Sequence, residues 1–187
     1  MGERDGVLSR EQLLALLTGD PPLVRDLPAP DEQLQPHGID LTVATVARYA
    51  SKGQLGASDT ARRLPEFEPI EPDSAGWWDL VPGPYLVRFS ETVSLPPDCM
   101  AYARPRSSLL RCGVALHTAV WDAGYSGQGV ALLVVYNPAG FRLQRSARIA
   151  QLVLHRLERP VAEGYRGAYQ GERGETERRS SDRSDGG

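Results

Sequence analysis

The 187-residue chain carries 21 Lys and Arg against 24 Asp and Glu, a formal net charge of −3. This balance excludes a dedicated nucleic-acid binder, because such proteins present a strongly basic surface. The sequence has no signal-peptide pattern and no apolar run of about 18 residues, so we expect a cytoplasmic protein with no membrane segment. Cys99 and Cys112 provide no disulfide framework and are predicted to be buried, reduced thiols.

Length and turn residues predict a single domain rich in β-structure. The 15 prolines and 19 glycines are spread along the chain, which favours many turns between short strands. We expect one domain over residues 1–171. Residues 172–187 contain no aliphatic or aromatic side chain and are predicted to be a disordered tail. An arm that closes over a ligand is the alternative for this end of the chain.

The N-terminal part is expected to contain a helix, a strand and a long polar excursion. Ser9 and Gln12 form a capping-box pattern ahead of several leucines, which predicts a helix over residues 9–18. Alternation of apolar and polar residues predicts a strand over 39–49. Residues 50–79 are polar and interrupted by prolines, and the end of this excursion is expected to pack back onto the domain.

From residue 80 the pattern is β throughout. Turn residues separate apolar runs at roughly the 8–12-residue spacing typical of sandwiches and barrels. The predicted strands are 85–89, 92–95, 100–104, 114–120, 129–136 and 148–157. The run GVALLVVY at 129–136 is nearly all apolar, so we expect this strand to be buried on both faces.

Residues 104–111 concentrate groups that suit a polyphosphate. Arg106 and Arg111 flank Ser107 and Ser108, and cations with adjacent hydroxyls and free N–H groups bind phosphate oxygens well. The serines are expected to cap a short helix whose first N–H groups point at an anion. A helix cap with surface arginines is the alternative. The chain has neither GxxxxGK[ST] nor GxGxxG, so a Walker or Rossmann phosphate loop is excluded.

Three further polar residues are candidates for a site. Asp122 opens the turn DAGYSG, and one carboxylate beside phosphates could activate water, although an Asp-initiated β-turn is the alternative. Asp40 lies at a strand entry after Gly38, where it could instead hydrogen-bond its own backbone. Gln151 lies between apolar neighbours on a strand, and its amide therefore needs a partner from the backbone or a ligand.

The segment YRGAYQG at 165–171 combines glycines with Tyr165, Tyr169 and Gln170. Such a segment can fold over a nucleotide, stack on it and hydrogen-bond with it. His37 and His117 have no Cys or His partner at metal-ligand spacing, and the signature of zinc deaminases is absent. The histidines therefore give no indication of a zinc site.

Five segments, in order, resemble motifs of the dUTPase/dCTP deaminase superfamily. They are LQPHGIDL, PRSSLLRCG, VWDAGYSG, ARIAQLV and YRGAYQGERG, and the similarity runs from about Leu8 to Gly174. The resemblance implies a mainly β fold, a distorted jelly-roll or β-barrel of the dUTPase-like, β-clip type with a short N-terminal helix. It also implies a homotrimer with active sites between subunits. The expected ligand is a deoxynucleoside triphosphate with Mg²⁺ held mainly by its phosphates.

The resemblance also implies roles for individual residues. The side chains expected to contact the substrate are Arg106, Ser107, Ser108, Arg111, Gln151, Tyr165, Tyr169 and Gln170. The arginines, the serines and Gln151 would bind phosphates, and the C-terminal three would close over the nucleotide. Asp122 would lie near the sugar and the attacking water. Asp40 would have a structural role or would bind a metal-coordinated water.

One departure from the family pattern separates its two activities. Deaminases carry a glutamate general base in the strand after the third motif, in a pattern resembling L-E-x-x-N. In ALLVVYN of this chain Val134 takes that place, and valine cannot accept a proton. We therefore favour hydrolysis of dUTP to dUMP and diphosphate, with Asp122 activating water.

Two features retain the deaminase pattern and leave alternatives open. Ser108 stands where dUTPases usually have glycine, and the C-terminal motif lacks the Gly-Gly-Phe-Gly of dUTPases. The first alternative is a dCTP deaminase or a bifunctional dCTP deaminase/dUTPase. The second is a non-catalytic regulator that binds deoxynucleotides.

Overall fold

The computed structural model describes residues 6–173, which form a mainly β fold with short helices. The strands are β1 Gly6–Val7, β2 Val24–Arg25, β3 Leu34–Gln35, β4 Gly38–Tyr49, β5 Phe67–Ile70, β6 Trp77–Leu80, β7 Gly83–Ser94, β8 Cys99–Pro105, β9 Val114–His117, β10 Val120–Trp121, β11 Ser126–Val135, β12 Phe141–Gln144 and β13 Arg148–Arg156. The helices are α1 Arg10–Leu17, α2 Pro30–Gln33 and α3 Ser107–Arg111, and a 3₁₀ turn covers Asp59–Ala61.

One large antiparallel sheet organises the domain. Its strand order is β10-β8-β13-β4-β7-β11-β9, with the short strands β1, β2, β3 and β5 added beside β13, β7 and β4. Strands β12 and β6 form a separate two-stranded sheet. The large sheet curls into a half-barrel around the apolar core, so the prediction of a mainly β, barrel-like fold is confirmed.

Strand β4 connects the two halves of the curled sheet. Its residues 39–42 pair with β13, whereas residues 43–47 pair with β7, and each ladder contains a register shift near this exchange of partners. Ile39, Leu41 and Val43 are fully buried on this strand. The polar Asp40 and Thr42 are carried into the interior beside them, because the strand is covered on both faces here.

The predicted N-terminal helix is confirmed as α1. The backbone N–H of Ser9 donates to the Gln12 side-chain oxygen over 3.0 Å, which is one half of the predicted capping box. Leu13 is completely buried on the inner side of the helix. Capping and burial of one apolar side therefore fix this short element, as its sequence indicated.

Two predictions of strand boundaries were wrong. The runs 85–89 and 92–95 belong to one strand, β7, because the intervening Ser90 and Glu91 continue the ladder and Glu91 points into the core. The run 114–120 is divided into β9 and β10. At the break, the Thr118 hydroxyl donates to the carbonyl of Ala103, which replaces a strand-to-strand bond by a side-chain bond.

The prediction that 129–136 is buried on both faces was also wrong for the single chain. Along β11 the side chains alternate, residue by residue, between half-buried and buried. Val130, Leu132 and Val134 lie on the half-buried face, whereas Ala131 and Leu133 enter the core. The outer face of β11 is apolar at Val130, Leu132 and Val134, and residues 6–173 leave it half-buried.

The excursion 50–79 packs back onto the domain as expected, through β6. Trp78 is buried, and its indole N–H donates to the carbonyl of Ile70 over 2.6 Å. The excursion is not structureless, since it contributes β5 to the large sheet and pairs β6 with β12.

Two smaller predictions need correction. Cys99 is buried as expected, but Cys112 is exposed because it follows α3 at the surface. Glu172, predicted as the first residue of a disordered tail, is half-buried and paired with Arg88. Residues 174–187 of that predicted tail lie outside the described part of the chain. Within residues 6–173, no helix is long and apolar enough to cross a membrane.

Candidate active site

Arg106 lies where β8 passes into the short helix α3. Its backbone N–H donates to the carbonyl of Ile149 on β13 over 3.0 Å, and its own carbonyl accepts the N–H of Leu109. These bonds fix the first turn of α3 against the sheet. Ser107 and Ser108 are the first residues of the helix and are exposed, so their hydroxyl groups face solvent.

Asp40 pairs with two arginines that are distant in sequence. Its Oδ2 atom lies 3.4 Å from Nε of Arg106 and 3.8 Å from Nη1 of Arg148. Burial raises the pKa of the Asp40 carboxyl, and the two neighbouring guanidinium groups oppose that rise. The carboxylate therefore holds Arg106 at the start of α3. The structural role expected for Asp40 stays a prediction, and these two ion pairs are compatible with it.

Gln151 occupies the same region of the sheet. In the ladder it lies opposite Asp40 on one side and opposite Arg104 on the other. Its side chain packs directly over Gly38, where an added Cβ would lie 2.7 Å from the Gln151 Cγ atom. Asp40, Arg106, Arg148 and Gln151 are called the arginine cluster below.

Arg111 is not part of the arginine cluster. Its guanidinium Nη1 donates to the carbonyl of Ser107 over 3.1 Å, within the same exposed helix. A role in phosphate binding requires this side chain to exchange an intrahelical bond for a ligand bond. The surface-arginine alternative therefore describes Arg111 as it stands in this structure.

Asp122 lies in a tight turn between β10 and β11. Its carbonyl accepts the N–H of Tyr125 over 3.1 Å, while its side chain is exposed. Gly124 adopts φ +81°, and an added Cβ would lie 2.7 Å from the Cα of Gly164. The turn therefore needs glycine both for its conformation and for the close approach of the C-terminal segment.

Residues 164–172, called the closing segment below, fold over this turn. The N–H of Tyr165 donates to the carbonyl of Ala123 over 2.8 Å. The amide of Gln170 makes two bonds, accepting from the N–H of Ser126 over 3.1 Å and donating to the carbonyl of Gly124 over 3.0 Å. The segment is therefore bound to the Asp122 turn of its own chain.

A pocket of about 170 Å³ lies beneath the closing segment and is called the aromatic pocket below. Its lining residues are Ala119, Val120, Trp121, Asp122, Tyr125, Gly129, Val130, Tyr165, Tyr169 and Glu172. Tyr125 and Tyr165 meet edge to face with ring centroids 5.7 Å apart. Burial, with a smaller contribution from the Glu172 carboxylate, raises the pKa of Tyr125 to about 12. Flat aromatic walls beside a carboxylate suit a sugar or a base.

The arginine cluster and the aromatic pocket do not meet in one chain. Trp121 pairs with Ala101 near the beginning of β8, whereas Pro105 ends the strand beside the arginine cluster. At a rise of ~3.3 Å per residue, the four residue steps from Ala101 to Pro105 span roughly 13 Å. The sequence-predicted site residues therefore form two groups, with Asp122, Tyr165, Tyr169 and Gln170 in one and Asp40, Arg106, Ser107, Ser108 and Gln151 in the other.

Two carboxylates near these groups were not identified as site residues from the sequence. Glu91 is completely buried and accepts bonds from Thr42 and Gln33, and burial is the main cause that raises its pKa. A lone acidic residue between Phe89 and Val93, both apolar, was the available signal. Glu172 lines the aromatic pocket, and its position depends on contacts of the closing segment that no local pattern reveals.

Within residues 6–173, no group of three or more His, Cys, Asp or Glu side chains could hold a metal ion. Asp40 is engaged by two arginines, and Asp122 lies apart from it on the other side of β8. The described side chains therefore do not fit a resident metal.

Residues 7–157 match the family described as dCTP deaminase-like. A probable deoxyuridine 5'-triphosphate nucleotidohydrolase of Methanosarcina mazei is 43% identical over 166 residues, which cover 89% of this chain and 97% of the relative. A protein of the same name from Aeropyrum pernix is 47% identical over 139 residues, covering 74% of this chain and 86% of the relative. The chain belongs to the dCTP deaminase-like family, and the predicted superfamily is confirmed.

A solved structure shows the same fold. The crystal structure of 2'-deoxycytidine 5'-triphosphate deaminase from Agrobacterium tumefaciens superimposes with a TM-score of 0.62 at 22% sequence identity. The similarity covers 82% of this chain and 50% of that protein, so the chain spans about half the length of the deaminase. At this identity the likeness supports the fold alone.

Proposed function

We propose that this chain is a dUTP diphosphatase that converts dUTP and water to dUMP and diphosphate. Two features together carry the proposal: a carboxylate lines the pocket, and the glutamate that deaminases use as general base is absent from its expected position. Asp122 lines the aromatic pocket, while the strand position of the deaminase glutamate is occupied by Val134 on the half-buried face of β11. The relatives from Methanosarcina mazei and Aeropyrum pernix carry the name of a dUTP hydrolase.

The chemistry assigned to Asp122 is activation of water. Its carboxylate would orient a water molecule and accept its proton as the water oxygen bonds to the α-phosphorus and the bond to diphosphate breaks. Mg²⁺ bound with the substrate would neutralise charge on the phosphates. The phosphate oxygens would be held by Arg106, Ser107, Ser108 and Gln151. Arg111 would join them once its side chain releases the carbonyl of Ser107.

A homotrimer with shared sites accounts for the separation of the two groups of residues. Along β8, roughly 13 Å separates Ala101, which pairs with the residue before Asp122, from Pro105, the residue before Arg106. A triphosphate nucleotide that touches both would lie between the aromatic pocket of one copy and the arginine cluster of another. The apolar outer face of β11 also supports burial against a second copy.

Deamination of dCTP is the second candidate. The matching family is described as dCTP deaminase-like, and Glu172 brings a second carboxylate to the aromatic pocket. The Glu172 side chain is, however, paired with Arg88 over 3.1 Å, so taking up a proton would break that ion pair. This engagement favours hydrolysis. A regulator that only binds nucleotides is disfavoured, because Asp122 would be a carboxylate beside phosphates with no task.

The deciding experiment is incubation of the purified protein with Mg²⁺ and either dUTP or dCTP, followed by separation of the products. We expect dUMP and diphosphate from dUTP, with dCTP unchanged. Ammonia and a uracil nucleotide from dCTP would replace the proposal by the deaminase. Binding of dUTP without any product would leave only the regulator.

A further inference from the structure

The closing segment is held almost as an additional strand against the start of β11. The N–H of Gly171 donates to the carbonyl of Ser126, and the N–H of Gln128 donates to the carbonyl of Glu172, each over 2.8 Å. Gly127 lies between these two bonds, and a Cβ there would come within 3.1 Å of the Glu172 backbone N and O atoms. The backbone contact therefore depends on a glycine at the centre of the docking position.

An ion pair fastens the end of this segment. Nη2 of Arg88 on β7 lies 3.1 Å from Oε1 of Glu172, and Nη1 of the same arginine donates to the carbonyl of Gln128. The Arg88 and Glu172 side chains are only 19% and 20% exposed. Because solvent screens such a pair less than a surface pair, it contributes more to holding the two elements together.

A pair of the opposite kind joins the closing segment to the residue just before it. Arg166 and Glu163 lie 3.5 Å apart but are 77% and 70% exposed. An exposed pair one helical turn apart in sequence contributes little, since water and salt screen it. Glu163 therefore provides a matched control for Glu172, with the same residue type close to it in the chain.

We propose that the Arg88–Glu172 ion pair is the latch that keeps the closing segment shut over the aromatic pocket. Both are positioning residues, because they act on substrate through the segment and through Tyr165 and Tyr169, which line the pocket. Substrate entry requires the pair to separate, and its return holds the pocket closed during turnover. The catalytic part of this inference rests on the proposed dUTP hydrolysis, whereas the latch itself does not.

The test is amide hydrogen exchange on the full-length protein with Glu172→Gln and, as control, Glu163→Gln. We expect roughly threefold to tenfold faster exchange at the N–H groups of Gly171 and Gln128 in Glu172→Gln only. Exchange on Leu133, in the core part of β11, should not change. Arg88→Glu alone should accelerate exchange in the same way, and combining it with Glu172→Arg should slow exchange again.

Each other result would overturn the latch. Unchanged exchange in Glu172→Gln would show that the pair holds nothing, and equal acceleration at Leu133 would show that it stabilises the whole domain instead. In the activity assay we expect a severalfold rise in KM for dUTP with a smaller change in kcat. If the natural sequence hydrolyses no dUTP, the proposed function fails, while exchange still decides whether the latch exists.

Discussion

At the scale of single residues, Asp122 combines a fixed backbone with a free side chain. The turn bond from Tyr125 to the Asp122 carbonyl and the Gly124–Gly164 contact hold the backbone, while the carboxylate remains exposed. A general base needs this combination, since it must reach a water molecule from a fixed place. Asp40 differs, because its carboxylate is engaged by two arginines, and this contrast supports the catalytic role proposed for Asp122 alone.

Replacing Asp122 by Asn should abolish turnover while nucleotide binding persists. The amide keeps the shape of the side chain but cannot take a proton, and loss of a general base commonly costs about 10²–10⁴-fold in rate. Steady-state kinetics with dUTP and calorimetric titration with a non-hydrolysable analogue would measure the two effects. Asp31→Asn, on the exposed surface of α2, is the control. Turnover at the natural rate in Asp122→Asn would remove Asp122 from the mechanism.

The partners of Asp40 show where residue-level prediction from sequence ends. The sequence identified Asp40 as a candidate and left a local turn bond open as the alternative. The structure instead joins Asp40 to Arg106 and Arg148, which are 66 and 108 positions away in the sequence. Such pairs form only when β4 and β13 are aligned, so no local pattern of residues could reveal them.

At the scale of elements, strand β4 changes its pairing partner from β13 to β7, and a backbone N–H at the change needs an acceptor from a side chain. The backbone N–H of Thr42 lies where β4 leaves β13 for β7, and it donates to both oxygens of Glu91 over 3.0 and 3.1 Å. Gln33 links the same carboxylate to the carbonyl of Asp40. Glu91 therefore replaces a strand partner and steadies the backbone that carries Asp40.

Replacing Glu91 by Gln should change how stability depends on pH. Burial raises the folded-state pKa of Glu91 above its ordinary value of 4.5. The contribution of Glu91 to the stability of the fold is therefore fully present below that pH. The contribution is lost as pH rises through the folded-state pKa. In Glu91→Gln an amide N–H₂ faces the neighbouring donors. We therefore expect the free energy of unfolding to fall by about 1–3 kcal/mol near pH 4.5, and this loss to shrink at higher pH.

Denaturant unfolding at several pH values from 4.5 upward would measure this difference in free energy. Glu68→Gln on β5, where the side chain is exposed, should show no such dependence. A constant difference between Glu91→Gln and the natural protein across the range would mean that Glu91 keeps one protonation state throughout.

The elements themselves were predicted with uneven success, for physical reasons. The capping box and leucines of α1 act locally, and the helix was correctly predicted. Strand β7 was divided in the prediction because Ser90 and Glu91 are polar, and their bonds to Thr42 come from a distant strand. The outer face of β11 was predicted to be buried because its residues are apolar, but residues 6–173 of one chain leave that face half-buried.

At the scale of the whole molecule, one chain contains all the predicted site residues but does not bring them together in one place. The family and the mainly β fold could be predicted from five ordered motifs, because each motif is short and local. The distance between the arginine cluster and the aromatic pocket could not be predicted, because it depends on how β8 runs between them. The sequence therefore supplied the candidate residues, and the structure shows that within one chain they lie in two separate groups.

Mixing two inactive variants should restore activity if the site is shared between copies. Asp122→Asn and Arg106→Ala each damage a different side of the proposed site. In a cyclic trimer formed at random from equal amounts, about a quarter of the sites would combine both natural residues. The measurement is dUTP turnover after co-refolding, with each variant refolded alone as control. No recovery in mixtures shown to contain both chains would place the whole site within one copy.

The position of Cys112 gives the molecule a single solvent-exposed thiol. Cys99 is sealed in the core, whereas Cys112 is exposed at the end of α3, directly after Arg111. A maleimide dye should therefore label each folded chain once, without any engineered cysteine. The dye would sit at the far end of the five-residue helix that begins with Ser107 and Ser108, and its emission would report events at that helix.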